Sequence, residues 1–149
     1  MKKKILFGLL AVIMCVCLVG CGNNNSSDQE HKEIINNAEE NKKNDDGQRF
    51  TITSDDTKYV VTNGTSSQVF YHEGETITGY ALYIDYDDAE TAKRMYDVYK
   101  SSYENQDTVK KLSVDRNYLI VEYVDDYIKE QFGSKTLSDI KAVYDTLNK

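Results

Sequence analysis

The chain has 149 residues and a net charge of −7, from 18 Lys and Arg against 25 Asp and Glu, and it contains neither Pro nor Trp. This length suits a single domain and argues against a multidomain enzyme. A chain this acidic lacks the positive field that phosphate binding requires, so we expect no nucleic-acid partner and repulsion from anionic lipid headgroups.

The first twenty residues have the pattern of an export signal. Three lysines at residues 2–4 precede an apolar stretch at residues 5–19, which is shorter than the ~20 residues of a permanent membrane span. The stretch runs into Leu18-Val19-Gly20-Cys21. This motif resembles the lipobox of bacterial lipoproteins and matches it at all four positions.

The resemblance implies that Cys21 is lipidated. A diacylglyceryl group would be transferred to its thiol, and the lipoprotein signal peptidase would recognise Leu18, Val19 and Gly20 and cleave before Cys21. The chemistry requires cysteine because its thiolate takes the lipid. Two acyl chains, at ~0.8 kcal/mol per buried CH₂, are enough for stable anchoring. We therefore expect a signal peptide at residues 1–20 and a cell-membrane protein facing outside the cytoplasm. An ordinary secretory signal or an uncleaved anchor is the alternative.

Removal of the signal peptide changes the chemistry of the mature chain. Three lysines leave without any acid, so the net charge becomes −10. Cys15 and Cys17 leave as well, and Cys21 is used by its lipid. The mature chain then has no free thiol, which excludes disulfides, cysteine catalysis and thiolate metal sites.

Residues 21–49 are predicted to be the lipidated cysteine and a disordered tether rich in Asn and charge. Ile34, Ile35 and Ala38 are the only apolar side chains between residues 22 and 49. So few apolar groups cannot offset the entropy lost on ordering. A weak helix over residues 31–43 is the alternative, although the clustered Asn residues oppose it. His31 is predicted to be a solvated tether residue.

A folded domain is predicted for residues 50–149, beginning with four strands. Residues 50–54 and 58–63 read as short strands, and residues 67–72 and 75–86 as a hairpin. The last of these strands is predicted to be central, with alternate side chains sharing one face. That face comprises Thr76, Thr78, Tyr80, Leu82, Ile84 and Tyr86.

Helices and a second hairpin follow. Asp87 is predicted to cap a helix whose inner stripe is Ala92, Tyr96, Tyr99 and Tyr103. Residues 108–115 and 117–124 read as a hairpin, whose apolar run at residues 118–121 indicates a central strand. A short helix over residues 125–132 ends at Gly133. A last helix begins at Thr136 with a capping box to Asp139 and a predicted stripe of Leu137, Ile140, Val143 and Leu147.

The element order β-β-β-β-α-β-β-α predicts an α+β fold. Hairpins stand where a parallel sheet would need βαβ units, so we expect a small antiparallel meander-like sheet with helices packed on one face. This order, the lipobox and the Tyr-rich residues 79–86 together resemble the small uncharacterised lipoproteins common in Firmicutes. The resemblance covers architecture only and implies no functional residues.

The acidic residues Asp85, Asp87, Asp88 and Glu90 are a weak candidate for a cation site. Asp85 and Asp87 fit the first two ligand positions of an EF-hand loop, but Glu90 replaces its glycine and Tyr96 its final glutamate. A turn whose acids cap the following helix is the favoured interpretation. His72 is predicted to be a solvated turn residue, and no second histidine of the domain accompanies it. We expect no metal, cofactor or catalytic residues, and no enzymatic activity.

The tyrosines point to binding instead. Tyr80, Tyr83 and Tyr86 alternate along one strand and cannot all point inward from a sheet covered on one side, so they are the candidates if any ring is displayed to a partner. Packing at half-buried strand and helix edges is the alternative. The sequence thus predicts a membrane-tethered module that binds an envelope protein, peptide or glycan. The alternatives are a small carboxylate-based envelope hydrolase or cation-binding protein, and a structural accessory subunit of a membrane complex.

Overall fold

The computed structural model describes residues 28–43, 49–103 and 105–149. No helix in these three ranges is both long and apolar enough to cross a membrane. The elements, in chain order, are α1 (Asp28–Lys43), β1 (Thr51–Ser54), β2 (Lys58–Asn63), β3 (Ser66–Glu73), β4 (Thr76–Asp85), α2 (Ala89–Tyr103), β5 (Val109–Asp115), β6 (Tyr118–Tyr123), α3 (Asp125–Phe132) and α4 (Leu137–Leu147).

The six strands form one open antiparallel sheet in the order β1-β2-β3-β4-β6-β5. β1 to β4 are a meander of sequential hairpins. After α2, β6 pairs with β4 and β5 forms the far edge. The predicted α+β class, antiparallel sheet and central position of residues 118–121 are therefore confirmed.

The three C-terminal helices pack on one face of the sheet, as predicted. α3 and α4 cover the aromatic cluster around Phe70, and α2 covers Leu82 and Ile84 of β4 together with β6. Phe70 is fully buried, and its ring centroid lies 5.1–6.3 Å from four other aromatic rings, those of Tyr59, Tyr80, Phe132 and Tyr144. Tyr96, Tyr99 and Tyr103 of α2 pack inward, which confirms the predicted stripe.

Of the two predicted N-caps, that of α4 is confirmed and that of α2 is shifted by one residue. The capping box of α4 is present, because the Thr136 side chain accepts from the Asp139 N–H and the Asp139 carboxylate accepts from the Thr136 N–H. In α2 the cap is Asp88, whose Oδ1 accepts from the Thr91 N–H at 2.6 Å. The prediction of Asp87 was one residue early because the Tyr86 N–H still donates to a carbonyl at the β5–β6 turn, which prolongs the extended chain.

The opposite face of the sheet is covered by α1, and here the prediction was wrong for residues 28–43. His31, Ile34, Ile35 and Ala38 are all buried, and the three apolar side chains pack on a cluster that includes Val60, Val69, Ala81, Tyr83 and Ile120. The composition of residues 28–43 wrongly indicated disorder. The helix brings its few apolar residues to one face, and the sheet supplies the rest of the apolar surface. The sheet is thus covered on both faces rather than one.

Polar contacts at the edges of α1 also attach this helix to the sheet. Arg116, in the β5–β6 turn with a φ of 55°, donates to Asn36 Oδ1 at 3.1 Å and to Glu39 Oε1 at 3.3 Å. Lys42 contacts the carboxylate of Asp85 at the end of β4. These contacts join the helix to residues that lie 40 to 80 positions further along the chain, which fixes its place on the sheet.

Candidate functional site

A cleft of about 260 Å³ opens where β6 leaves the sheet. β6 pairs with β4 only as far as Ala81, and the other end of β4 is bridged by Thr136, which pairs with Thr76. Between these two points, β4 has no strand neighbour on this side among the described residues. We call this space the edge cleft. Thr78 and Gly79 form its floor, and its walls include Glu30, His31, Tyr71, Glu122, Tyr123 and Asp125.

A β-bulge shapes the floor of the edge cleft. The register between β3 and β4 shifts at Tyr71, so that Thr78 is an extra residue on β4. Ile77 and Tyr80 consequently pack into the same cluster, the one around Phe70. The predicted alternation of β4 is therefore wrong on the N-terminal side of Tyr80. Gly79 pairs with Tyr71, and a Cβ at Gly79 would lie 2.9 Å from Tyr71 Cδ2. The absence of a side chain at Gly79 therefore lets the tyrosine ring lie over the strand and form a wall.

A histidine–carboxylate pair lies at the inner end of the edge cleft. His31 Nε2 lies 3.6 Å from Glu122 Oε1, and Lys111 Nζ lies 3.8 Å from the same oxygen. His31 is only 5 % exposed, and its ring meets Tyr83 edge-on with centroids 5.7 Å apart. The prediction of a solvated tether residue was wrong because α1 turns this side chain onto the sheet.

The electrostatics of the edge cleft favour an ionised Glu122 and a neutral Tyr71. The His31 imidazole beside Glu122 holds the pKa of that carboxyl below its usual value, and Lys111 acts in the same direction. Burial raises the pKa of Tyr71 well above its usual value, and the carboxylates of Glu30 and Glu122 raise it further. The cleft therefore presents negative charge beside neutral phenol groups.

The lowered pKa of Glu122 predicts a pH dependence of stability. Because its folded-state pKa is below the ordinary value of 4.5, the ionised carboxylate stabilises the fold above pH 4.5, and this contribution is lost as the pH falls through the folded-state pKa. Glu122→Gln should lower the urea midpoint at neutral pH, and the difference from wild type should shrink in acid. Glu40→Gln, at an exposed position on α1, is the control. An equal deficit for Glu122→Gln at both pH values would contradict this.

The three tyrosines that were candidates for display are mostly buried. Tyr80 and Tyr83 are 4 % and 0 % exposed, and Tyr86 is half-buried against the α2 cluster. The prediction is wrong for Tyr80 and Tyr83 because helices cover both faces of the sheet. Tyr80 Oη donates to Gln68 Oε1 at 3.0 Å, which gives this hydroxyl a buried partner.

The acidic residues near the start of α2 have structural contacts. Asp85 accepts from Asn117 Nδ2 at 2.5 Å and contacts Lys42, while Asp88 caps α2. Asp87 and Glu90 are exposed. Over the described part of the chain, no three His, Cys, Asp or Glu side chains are grouped so that they could hold a metal ion.

His72 differs from its prediction as a solvated turn residue. It is buried near the end of β3, and its Nδ1 lies 3.1 Å from the carbonyl oxygen of Gly74. Gly74 has a φ of 59°, so the hairpin turn bends back far enough to bring this carbonyl to the ring. The imidazole therefore stabilises the β3–β4 turn.

The lipidation motif Leu18, Val19, Gly20 and Cys21 lies outside the described residues. The edge cleft could not be predicted from the sequence, because its residues come from six elements spread over nearly 100 positions. One signal was available: His31, Ile34, Ile35 and Ala38 follow the i, i+3, i+4, i+7 spacing of a buried helix face.

The fold and the cleft define an open, helix-covered antiparallel α+β domain with a polar cleft at a strand edge. No family model matches the sequence, and no curated protein and no solved structure matches the chain.

Proposed function

We propose that the protein is a lipid-anchored binding module on the outer side of the cell membrane, and that its edge cleft recognises an envelope protein, peptide or glycan. The edge cleft carries this proposal, since a concave site lined by a few convergent polar groups is the usual form of a recognition site. The match of residues 18–21 to the lipobox supports the anchor.

The position of the edge cleft suits a ligand near the membrane. Only six residues, 22–27, separate Cys21 from α1, and this length of chain spans at most about 25 Å. Glu30 and His31 belong to the first turn of α1 and line the cleft. A protein anchored through Cys21 would thus hold the opening of the cleft close to the lipid surface.

A carboxylate-based hydrolase is the second candidate, because Glu30, Glu122 and Asp125 converge on the edge cleft. Such a mechanism needs one carboxyl group whose pKa is raised so that it can donate a proton. The pKa of Glu122 is lowered instead, through its contact with His31. An ionised Glu122 suits ligand binding better than acid catalysis, and this favours the binding module.

The anchor is tested by Cys21→Ala. We expect this variant to leave the detergent phase on phase partitioning, or to accumulate as an unprocessed precursor. Cys17→Ala is the matched control, since it removes a cysteine of the signal peptide outside the lipobox. Unchanged partitioning and unchanged mobility of Cys21→Ala would overturn the lipid anchor.

Recognition through the edge cleft is tested by cross-linking in intact cells. A photoreactive residue at Thr78, on the exposed floor of the cleft, should give a discrete adduct, which Glu122→Gln should weaken. The same residue at Val98, which is 57 % exposed on α2, should not give it. No adduct at Thr78, or the same adduct at both positions, would contradict the proposal.

A further inference from the structure

We infer that the edge cleft binds a cationic amine carried by a peptide segment, such as a lysine side chain. This inference rests on the proposed function and narrows its ligand. It combines three features of the cleft, which are its excess of carboxylates, its tyrosine wall and the stretch of β4 that has no strand neighbour among the described residues.

The charges of the edge cleft favour a cation. Glu30, Glu122 and Asp125 contribute three carboxylates, whereas the basic groups that line the cleft are Lys110 and the His31 imidazole. Glu122 also lies near Lys111, but Glu30 and Asp125 form no ion pair with any described residue. A ligand ammonium group would supply the missing positive charge.

The aromatic wall favours the same ligand. Tyr71 is half-buried and lies over Gly79 at the floor of the edge cleft. Its neutral phenol ring presents a π surface to which an ammonium group is attracted. The carboxylates and the ring therefore select a cation of compact shape rather than an anion.

The floor of the edge cleft favours a peptide as the carrier. Thr78 is exposed and Gly79 partly so, and on this side their backbone has no neighbouring strand among the described residues. An extended peptide can hydrogen-bond such a strand edge through its own backbone, while a side chain enters an adjoining pocket. The bulge at Thr78 limits this pairing to a short segment, so the amine must provide much of the affinity.

The test uses two blocked tripeptides on the mature lipidated protein in detergent. N-acetyl-Gly-Lys-Gly-amide carries a single ammonium group, and its norleucine analogue has the same length without the charge. We expect the lysine peptide to shift the amide NMR signals of residues 78–80 and the norleucine peptide to bind at least about tenfold more weakly.

Matched variants test which carboxylates contribute to binding of the lysine peptide. Asp125→Asn in the cleft should weaken lysine-peptide binding about two- to fivefold. Asp126→Asn, at the next and also exposed position of α3 but outside the cleft, should leave it unchanged. Glu122→Gln should weaken binding at least about tenfold. The aspartate pair still tests the inference if Glu122→Gln fails to fold.

Three outcomes would overturn the inference. These are equal binding of the two peptides, equal effects of Asp125→Asn and Asp126→Asn, and shifts of residues 78–80 by a neutral oligosaccharide but not by the lysine peptide. A Thr78 cross-link that persists in these cases would leave the binding module intact and exclude only the amine. Absence of both the Thr78 cross-link and lysine-peptide binding would contradict the proposed function as well.

Discussion

Replacement of Ile35 by alanine is expected to lower the free energy of unfolding by about 2–5 kcal/mol. Ile35 is 0 % exposed and packs between α1 and the sheet. Removal of its side chain leaves a cavity at the centre of this contact, so the loss includes both transfer free energy and cavity formation. Urea denaturation followed by circular dichroism measures the change, and hydrogen exchange of the α1 amides reports whether the helix loosens first.

Asn37→Ala is the control for this experiment. Asn37 is exposed on the same helix, so its replacement should change the free energy of unfolding by no more than about 0.5 kcal/mol. A disordered tether would give no effect for either substitution. An unchanged urea midpoint for Ile35→Ala would therefore show that α1 contributes nothing to the stability of the domain.

Phe70→Ala should be at least as damaging, with an expected loss of about 3–5 kcal/mol. The ring of Phe70 joins β3 to both α3 and α4 through edge and tilted contacts with four aromatic neighbours. Its removal leaves all four without their central partner, and rings of this size cannot close the space by small movements. The melting temperature and the urea midpoint should both fall.

Val98→Ala serves as the reference for Phe70→Ala. It removes apolar atoms from an exposed site on α2, where no cavity can form. We expect a change of no more than about 0.5 kcal/mol. Similar losses for both substitutions would mean that the aromatic cluster is not the centre of the core.

The parts of the fold that depend on neighbouring residues were predictable from the sequence. The capping box at Thr136, the end of α3 before Gly133 and the β5–β6 turn at Arg116 each follow from a few adjacent side chains. The antiparallel arrangement follows in turn, because short turns join sequential strands. The error at residues 28–43 has a different origin. The apolar surface that stabilises α1 belongs to strands far away in the chain, and no composition window includes it.

The candidate site was hidden for the same reason. His31 meets Glu122 only because β6 lies beside β4, and strand order was not part of the prediction. The bulge at Thr78 is not evident from the alternation of apolar residues in the sequence. It nevertheless determines which side chains of β4 reach the core and which reach the cleft. Tyr83 was among the candidates for display because residues 28–43, which cover it, were predicted to be disordered.

The contacts of α1 also determine when it can fold. Arg116 lies 80 positions beyond its partner Asn36, and Asn148 hydrogen-bonds the backbone of Phe50 across 98 positions. The hairpins of β1 to β4 close short loops, whereas the contacts of α1 and of Asn148 must wait for the completed sheet. During folding, we expect the strands to assemble first and α1 to dock last. Until it does, the apolar face beneath α1 is open to neighbouring chains, so slow docking would be the step most exposed to aggregation.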